Sequence, residues 1–360
     1  MSFQKELLRV SLNLFYGYQD LRIKSMNKIR NIVRKINEDI PMNSVEAKKE
    51  NKTFDKKYSD RQLNKTMELL LLENKISQED YDYYYECRNL IDGPTAFKMF
   101  ECNSCGKRNR QEIHLGGAED MEKETVKTIK ELVINEPIWK EFLSKIKGIG
   151  ELIGASLVYY FEYCDQKIYK NGELIAKEGD PNFDKAYDEW EKDHLLPKEK
   201  QIYRRTGFKT GSQLMAYTGN HTIDGKAVKP KKGISLGFKK KLRAFTWIIS
   251  DSLVKHNKGY YRDLYNKEKI KQANREYEEG FLAKNYNGYK EKDTKLSKGH
   301  IHNRALRKTR KRFLWHYWEA SRELIGLPFQ KSYVEGVLNH NHIISWREAI
   351  KQEGKLGGVK

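Results

Sequence analysis

Residues 145–158 read Lys-Ile-Lys-Gly-Ile-Gly-Glu-Leu-Ile-Gly-Ala-Ser-Leu-Val. Gly148 and Gly150 suit a turn with open backbone angles, between one helix ending at Ile146 and another starting near Glu151. A helix-hairpin-helix of this kind leaves N–H groups unpaired at the start of its second helix, where the helix dipole is positive. That end attracts phosphate. Lys145 and Lys147 flank the turn, Ile146, Ile149, Ile153 and Leu157 supply a buried face, and Gly154 and Ala155 are small enough for the helices to pack closely. An ordinary helical corner without ligand has the same local pattern. The basic character of the rest of the chain favours phosphate.

Two further tracts carry cations in a pattern that suits a polyanion. Lys226, Lys229, Lys231, Lys232, Lys239, Lys240, Lys241 and Arg243 run without an acid between them, and Gly225, Gly233 and Gly237 let the loop follow a backbone. If about six of these side chains meet phosphates, log affinity falls with log salt at a slope near −5. A flexible charged loop is the plainer reading. The second tract is Arg304, Arg307, Lys308, Arg310, Lys311 and Arg312, followed by Phe313, Trp315, Tyr317 and Trp318. Cations interleaved with aromatics bind nucleic acid by charge and stacking, although Leu314, Trp318 and Leu324 also fit a core.

Cys102-x-x-Cys105-Gly has the form of half a zinc knuckle. Cys87 and His114 would complete a tetrahedral set with Cys102 and Cys105, and free thiols are the alternative. His300-x-His302 and His340-x-His342 more readily contact phosphate or solvent than metal. The chain has no Gly-rich phosphate loop and no His-Glu-x-x-His. Its 50 acids show no strand-borne spacing that builds a nuclease metal cluster. No catalytic residue is assigned.

The 360-residue chain carries a net charge of +19, which makes polyanions, DNA first, the expected partners. With 22 Tyr, 14 Phe and 6 Trp it has the means to build a core. The sequence lacks an apolar run of transmembrane length, and its N-terminus does not read as a signal peptide. Four cysteines in a chain this long do not make a disulfide framework. The expected setting is therefore reducing: cytoplasmic and nucleoid-associated, in a prokaryote or virus, without membrane contact.

The elements that must position these residues are mainly helical, with short β-hairpin insertions. Residues 1–36 predict one long helix, with Phe3, Leu7, Val10, Leu14, Leu21, Ile29, Ile32 and Ile36 on an apolar stripe. Residues 37–135 predict a polar linker, helices opened by Ser59 and Ser77, and the zinc-knuckle segment, with helix resuming near Glu119. Residues 136–265 hold the hairpin domain, with Pro137 opening a helix and a second long helix over 239–265. Asn171-Gly172 and Asp224-Gly225 predict two-residue β-hairpins near 168–175 and 222–228. Residues 266–360 predict a basic helical region, helical over 301–324, with a frayed Gly-Lys-Leu-Gly-Gly end at 354–358. An oligomer is compatible with this organisation.

The order of three pieces carries a resemblance. These are Lys147-Gly-Ile-Gly-Glu-Leu-Ile-Gly-Ala-Ser-Leu157, Gln213-Leu-Met-Ala-Tyr-Thr-Gly219, and Lys232-Gly-Ile-Ser-Leu-Gly-Phe-Lys-Lys-Lys-Leu-Arg243 followed by a long helix. Over roughly residues 137–265 the chain resembles the C-terminal domain of the bridge-RNA-guided insertion-sequence transposases, the IS one-ten group. The resemblance implies DNA binding, a mobile genetic element, DNA recombination, and an association with structured RNA. The chain departs from the family at two points. Where the family has the nucleophilic serine of a Ser-Gly-Lys, this chain has Asp224-Gly225-Lys226. Ser235 matches a serine without that role, and Thr222 is the near hydroxyl. Residues 1–135 also lack the alternating strands and four acids of the family's RNase-H-like half. The expectation is a DNA-binding relative of a transposase without its chemistry. The alternatives are an active recombinase with a displaced nucleophile and an RNA-binding protein.

Overall fold

A computed structural model describes residues 3–36, 67–68, 71–72, 76–93, 95–101, 108–114, 116–223, 226–228, 237–256, 258–329 and 344–357. These residues are mainly helical, with three small antiparallel sheets. The chain divides into two compact units, residues 1–129 and 130–360.

The first unit holds α1 (Phe3–Ile36), α2 (Gln78–Asp92), β1 (Thr95–Glu101), β2 (Arg108–His114) and most of α3 (Ala118–Val133), within which the division falls. Ser77 opens α2 as the sequence predicts, accepting the Asp80 N–H at 3.1 Å, and Gly93 ends it at φ 85°. Helix α1 buries Leu8, Leu12, Phe15 and Ile29, whereas Leu7, Val10, Leu14 and Leu21 are exposed. The expected stripe is thus mostly the outer one. Two apolar stripes lie side by side on α1, and packing, not periodicity, selects between them.

The β1–β2 hairpin goes beyond what the sequence predicts, since its clear turn signals lie further along. Thr95 pairs with His114 and Glu101 with Arg108. Strand β2, Arg-Asn-Arg-Gln-Glu-Ile-His, is nearly all polar and lacks the alternation that marks a half-buried strand. Among the described residues of 1–135 these are the strands present, and they form a two-stranded sheet.

The second unit begins with α4 (Pro137–Glu141), a 3₁₀ turn (Leu143–Lys145) and α5 (Glu151–Phe161). A small lobe follows: β3 (Lys167–Lys170), β4 (Glu173–Lys177), α6 (Phe183–His194) and β5 (Tyr203–Thr206), with strand order β4-β3-β5. The expected turn is present, with Asn171 at φ 50° and Gly172 at φ 89°. Strand β5 adds a partner that the sequence did not announce. Then come α7 (Gly211–Tyr217), the β6–β7 pair (Thr222–Ile223 with Lys226–Ala227), α8 (Lys240–Lys255), α9 (Tyr260–Ala273), α10 (Phe281–Asn285), α11 (Lys298–Leu324) and α12 (Trp346–Gly357).

Helix α11 is the axis of this unit. Phe313, Leu314, Tyr317, Trp318 and Ala320 are all fully buried along it. Phe142 stacks on Phe313, Phe161 meets Tyr317 edge-on, and the Trp318 indole N–H donates to Phe208 O at 3.0 Å. Aromatic burial of this kind dominates core energetics. The single helix expected over 239–265 is two. The chain turns at Gly259, whose φ of 117° excludes other residues, and a Cβ there would lie 2.2 Å from Glu353 Oε2. Residues Trp346–Gly357 form α12, anchored by buried Trp346 and Ala349.

Candidate nucleic-acid interface

The hairpin forms, but its first arm is short. The helix after Pro137 runs only to Glu141 and continues as the 3₁₀ turn to Lys145. Gly154 lies against Trp139, with room for no Cβ: one would sit 2.6 Å from the indole. That is the close helix packing its small size predicts.

The two turn glycines differ. Gly148 (φ 91°) packs its backbone on α8. An added Cβ would meet Ser252 O at 2.6 Å, and the Gly148 carbonyl accepts the Ser252 hydroxyl at 2.6 Å. It is the carbonyl side of Gly148 that is packed on α8. Gly150 is exposed, has open space around it, and caps α5 without a side-chain bond to the first-turn N–H groups. It is the end of the hairpin that can meet a phosphate. Lys145 pairs with Glu141 at 3.2 Å. Glu353 on α12 accepts the Tyr261 N–H at 3.5 Å at the start of α9, and its carboxylate feels the charge of Lys147.

Lys239, Lys240 and Lys241 are exposed at the N-terminus of α8, whose first turn contains no acid. Lys239 lies over Tyr217, with its N–H donating to Tyr217 O at 3.2 Å, and Lys241 lies over Tyr160. Arg243, one turn on, stacks on Phe238 and donates to Val228 O at 2.8 Å.

The six cations of the 304–312 tract of α11 divide by face. Arg304 donates to Gln272 Oε1, Tyr277 OH and Tyr286 OH at 2.7–2.8 Å, and Lys308 pairs with Glu268 at 2.8 Å. Arg312 lies near Tyr260, Tyr261 and His316 and helps hold the His316 imidazole neutral; burial, the larger cause, pushes its pKa down to about 3. Arg307, Arg310 and Lys311, spaced i, i+3, i+4, share another face with Arg243 of α8. Arg307 donates to Asn220 O and His221 O at 3.4 and 2.8 Å. Burial first, and then neighbouring guanidinium charge, lowers the pKa values of Arg307, Arg310 and Lys311. Among the described residues no carboxylate pairs with Arg243, Arg307, Arg310 or Lys311. The i, i+3, i+4 spacing was legible in the sequence, but the absence of a counter-charge was not. His221, whose Nδ1 is buried without a hydrogen-bond partner, carries no signal in the sequence that marks it.

Other expected site residues scatter. Lys226 lies in β7, with its backbone paired to Ile223. Lys229, Lys231, Lys232, Asp224, Ser235, Cys102, Cys105, His340 and His342 fall outside the described residues. Cys87 is buried among Ile29, Met67, Tyr84 and Ile91, and burial raises its thiol pKa. His114 stands at the end of β2 opposite Thr95, six residues or about 20 Å along the strand from Arg108. Among the described residues no group of three His, Cys, Asp or Glu side chains is placed to hold a metal, so the structure gives the expected zinc set of Cys87, Cys102, Cys105 and His114 no support. His302 Nδ1 lies 2.7 Å from Tyr265 OH and His300 Nδ1 lies 3.0 Å from Tyr289 OH. No helix among the described residues is long and apolar enough to cross a membrane.

No family model, no curated protein and no solved structure matches the chain. The likeness to transposases therefore stands on the residues that carry it.

Proposed function

We propose that the chain binds nucleic acid through the phosphate backbone, with duplex DNA as the partner and without catalysing a reaction on it. One observation carries this reading: the exposed lysines at the start of α8 lead into Arg243, Arg307, Arg310 and Lys311, which have no acidic partner among the described residues. An open helix N-terminus at Gly150 adds backbone donors. Contacts of this type hold a protein on DNA without reading its sequence. Transposase kinship, a nucleoid location in the cytoplasm and use in recombination belong to the same proposal.

The test is a binding titration on duplex and structured RNA of equal length, across a salt series. Duplex binding is expected to weaken steeply with salt. Replacing Lys239, Lys240 and Lys241 with Gln is expected to flatten the slope by about 1 for each phosphate no longer neutralised. Equal or tighter binding to RNA would turn the reading to RNA, and binding without salt dependence would defeat it. A nicking assay with Mg²⁺ on supercoiled plasmid checks the non-enzymatic part. Nicking that disappears in Asp224→Ala or Ser235→Ala restores the enzyme. Zinc at Cys102 and Cys105 is also proposed, and metal analysis that finds no stoichiometric zinc removes it.

A further inference from the structure

Arg310 is 8% exposed, and its Nε has no hydrogen-bond partner. Arg307 lies one turn before it on α11, Lys311 next to it, and Arg243 acts on it from α8. Burial, with repulsion from Arg307 and Arg243, lowers the Arg310 pKa to about 10. Arg307 and Arg243 are each held by backbone carbonyls, those of Asn220, His221 and Val228. They are fixed in place without being neutralised.

Cations taken out of water without a counter-ion cost folding free energy, and an arginine cannot escape by losing its proton. The ordinary solution is an ion pair, and the same helix uses it at Lys308 with Glu268 and at Arg322 with Glu178. At the α8-facing cluster that solution is missing among the described residues, which leaves a place for a charge from outside. Planar guanidinium forks suit the oxygens of a phosphate, and several such groups around one site suit it better than they suit chloride. We propose that Arg243, Arg307, Arg310 and Lys311 form a seat for a single phosphate group, sheltered from water and separate from the exposed lysines of α8. Taking a strand's phosphate as the natural occupant rests on the nucleic-acid reading above; the seat itself does not.

The test uses the full chain and inorganic phosphate. Phosphate should raise the melting temperature saturably, by several degrees at about a hundredfold excess over its Kd, where sodium chloride of equal ionic strength does not. Arg310→Met should abolish that rise and melt no lower than the wild type without phosphate. If Arg310→Met does not fold, Lys311→Met is read instead and should halve or remove the response. A phosphate effect no larger than that of chloride overturns the seat. So does an Arg310→Met protein that melts lower than wild type and keeps its phosphate response.

Duplex binding by the same proteins separates this inference from the wider reading. A phosphate response lost in Arg310→Met, together with about tenfold weaker DNA binding, supports both. No phosphate response with salt-dependent DNA binding intact sinks the seat alone. A phosphate response in a protein that binds neither duplex nor RNA sinks the wider reading alone. Oligonucleotides with and without a 5′ phosphate identify the source. Tighter binding of the phosphorylated strand assigns the seat to a terminal group, equal binding to an internal phosphodiester, and either supports the seat when Arg310→Met weakens it.

Discussion

Helix α11 carries the same residue types on two faces to opposite effect. Toward α9 and toward its own C-terminal end its cations are matched: Lys308 to Glu268, Arg304 to an amide and two phenols, Arg322 to Glu178. Toward α8, Arg307, Arg310 and Lys311 meet Arg243, backbone carbonyls and one another. A run of lysine and arginine is therefore not one feature. A matched cation contributes to the fold, whereas an unmatched one is a cost to it. The difference can be measured, because removing a matched charge should destabilise the protein while removing an unmatched one should not.

The largest effect is expected at Arg322. It is 2% exposed, it makes bonds of 2.9 and 2.7 Å to the two oxygens of Glu178, and its Nε donates to Pro328 O at 2.8 Å. Arg322→Met leaves Glu178 without its main partner, in a place where removing one member of a buried pair costs about 3–5 kcal/mol. Thermal unfolding should fall by about 2–4 °C for each kcal/mol. If Arg322→Met and Arg310→Met shift the melting temperature alike, the two faces are not different in kind.

A buried acid sharpens the contrast from the other side. Glu353 has the Tyr261 N–H 3.5 Å from one carboxylate oxygen while the other is buried without a partner, and burial, outweighing nearby amides and the charge of Lys147, pushes its pKa up to about 7. The sign follows. The unfolded chain releases this proton near the ordinary carboxylate value, while the folded protein keeps it to about pH 7, so Glu353's contribution to stability is lost as pH rises through that window. Glu353→Gln, measured against wild type across mildly acidic to mildly basic pH, should gain relative stability as pH rises. A difference that is flat across the window would show that amide donors fully compensate the charge.

Sequence and structure part company along the same line. The hairpin was legible because Gly148 and Gly150 answer to local backbone needs, and so were the turn at Asn171-Gly172, the cap at Ser77 and the course of α11. What the sequence could not show was which face of a helix would find a partner. The stripe Leu7, Val10, Leu14 and Leu21 on α1 has the right period and lies outward. Gly148 packs on Ser252 of α8, more than a hundred residues away in sequence, and nothing local to the hairpin announces that contact. Arg304 and Arg307 look equivalent until Gln272, Tyr277 and Tyr286 supply three side-chain acceptors for one of them and none for the other. Period and residue type are local properties, whereas compensation is decided by long-range contacts.

The smallest effect is also the cleanest comparison, because one substitution is made twice on one helix, three residues apart. Lys308 is half exposed and paired to Glu268, which is itself buried beside Gln272. Lys308→Met removes that partner, and solvent screening keeps the loss near ~1 kcal/mol. Among the described residues Lys311 has no partner of opposite charge, and burial with repulsion from Arg307 and Arg310 lowers its pKa. Lys311→Met removes one of four like charges and puts an apolar chain in their place. Its effect should be neutral or stabilising by a few tenths to ~1 kcal/mol, or about 1–3 °C. Added salt should narrow the gap between the two variants, since it screens the attraction removed in one and the repulsion relieved in the other. A pH series adds a second sign. The wild type should lose stability as pH falls through the lowered pKa of Lys311, below 10.5, and Lys311→Met should lose less. Matching losses in the two variants, in low salt and at both ends of the pH series, would mean that Lys311 has found a counter-charge after all and that the two faces of α11 do the same work.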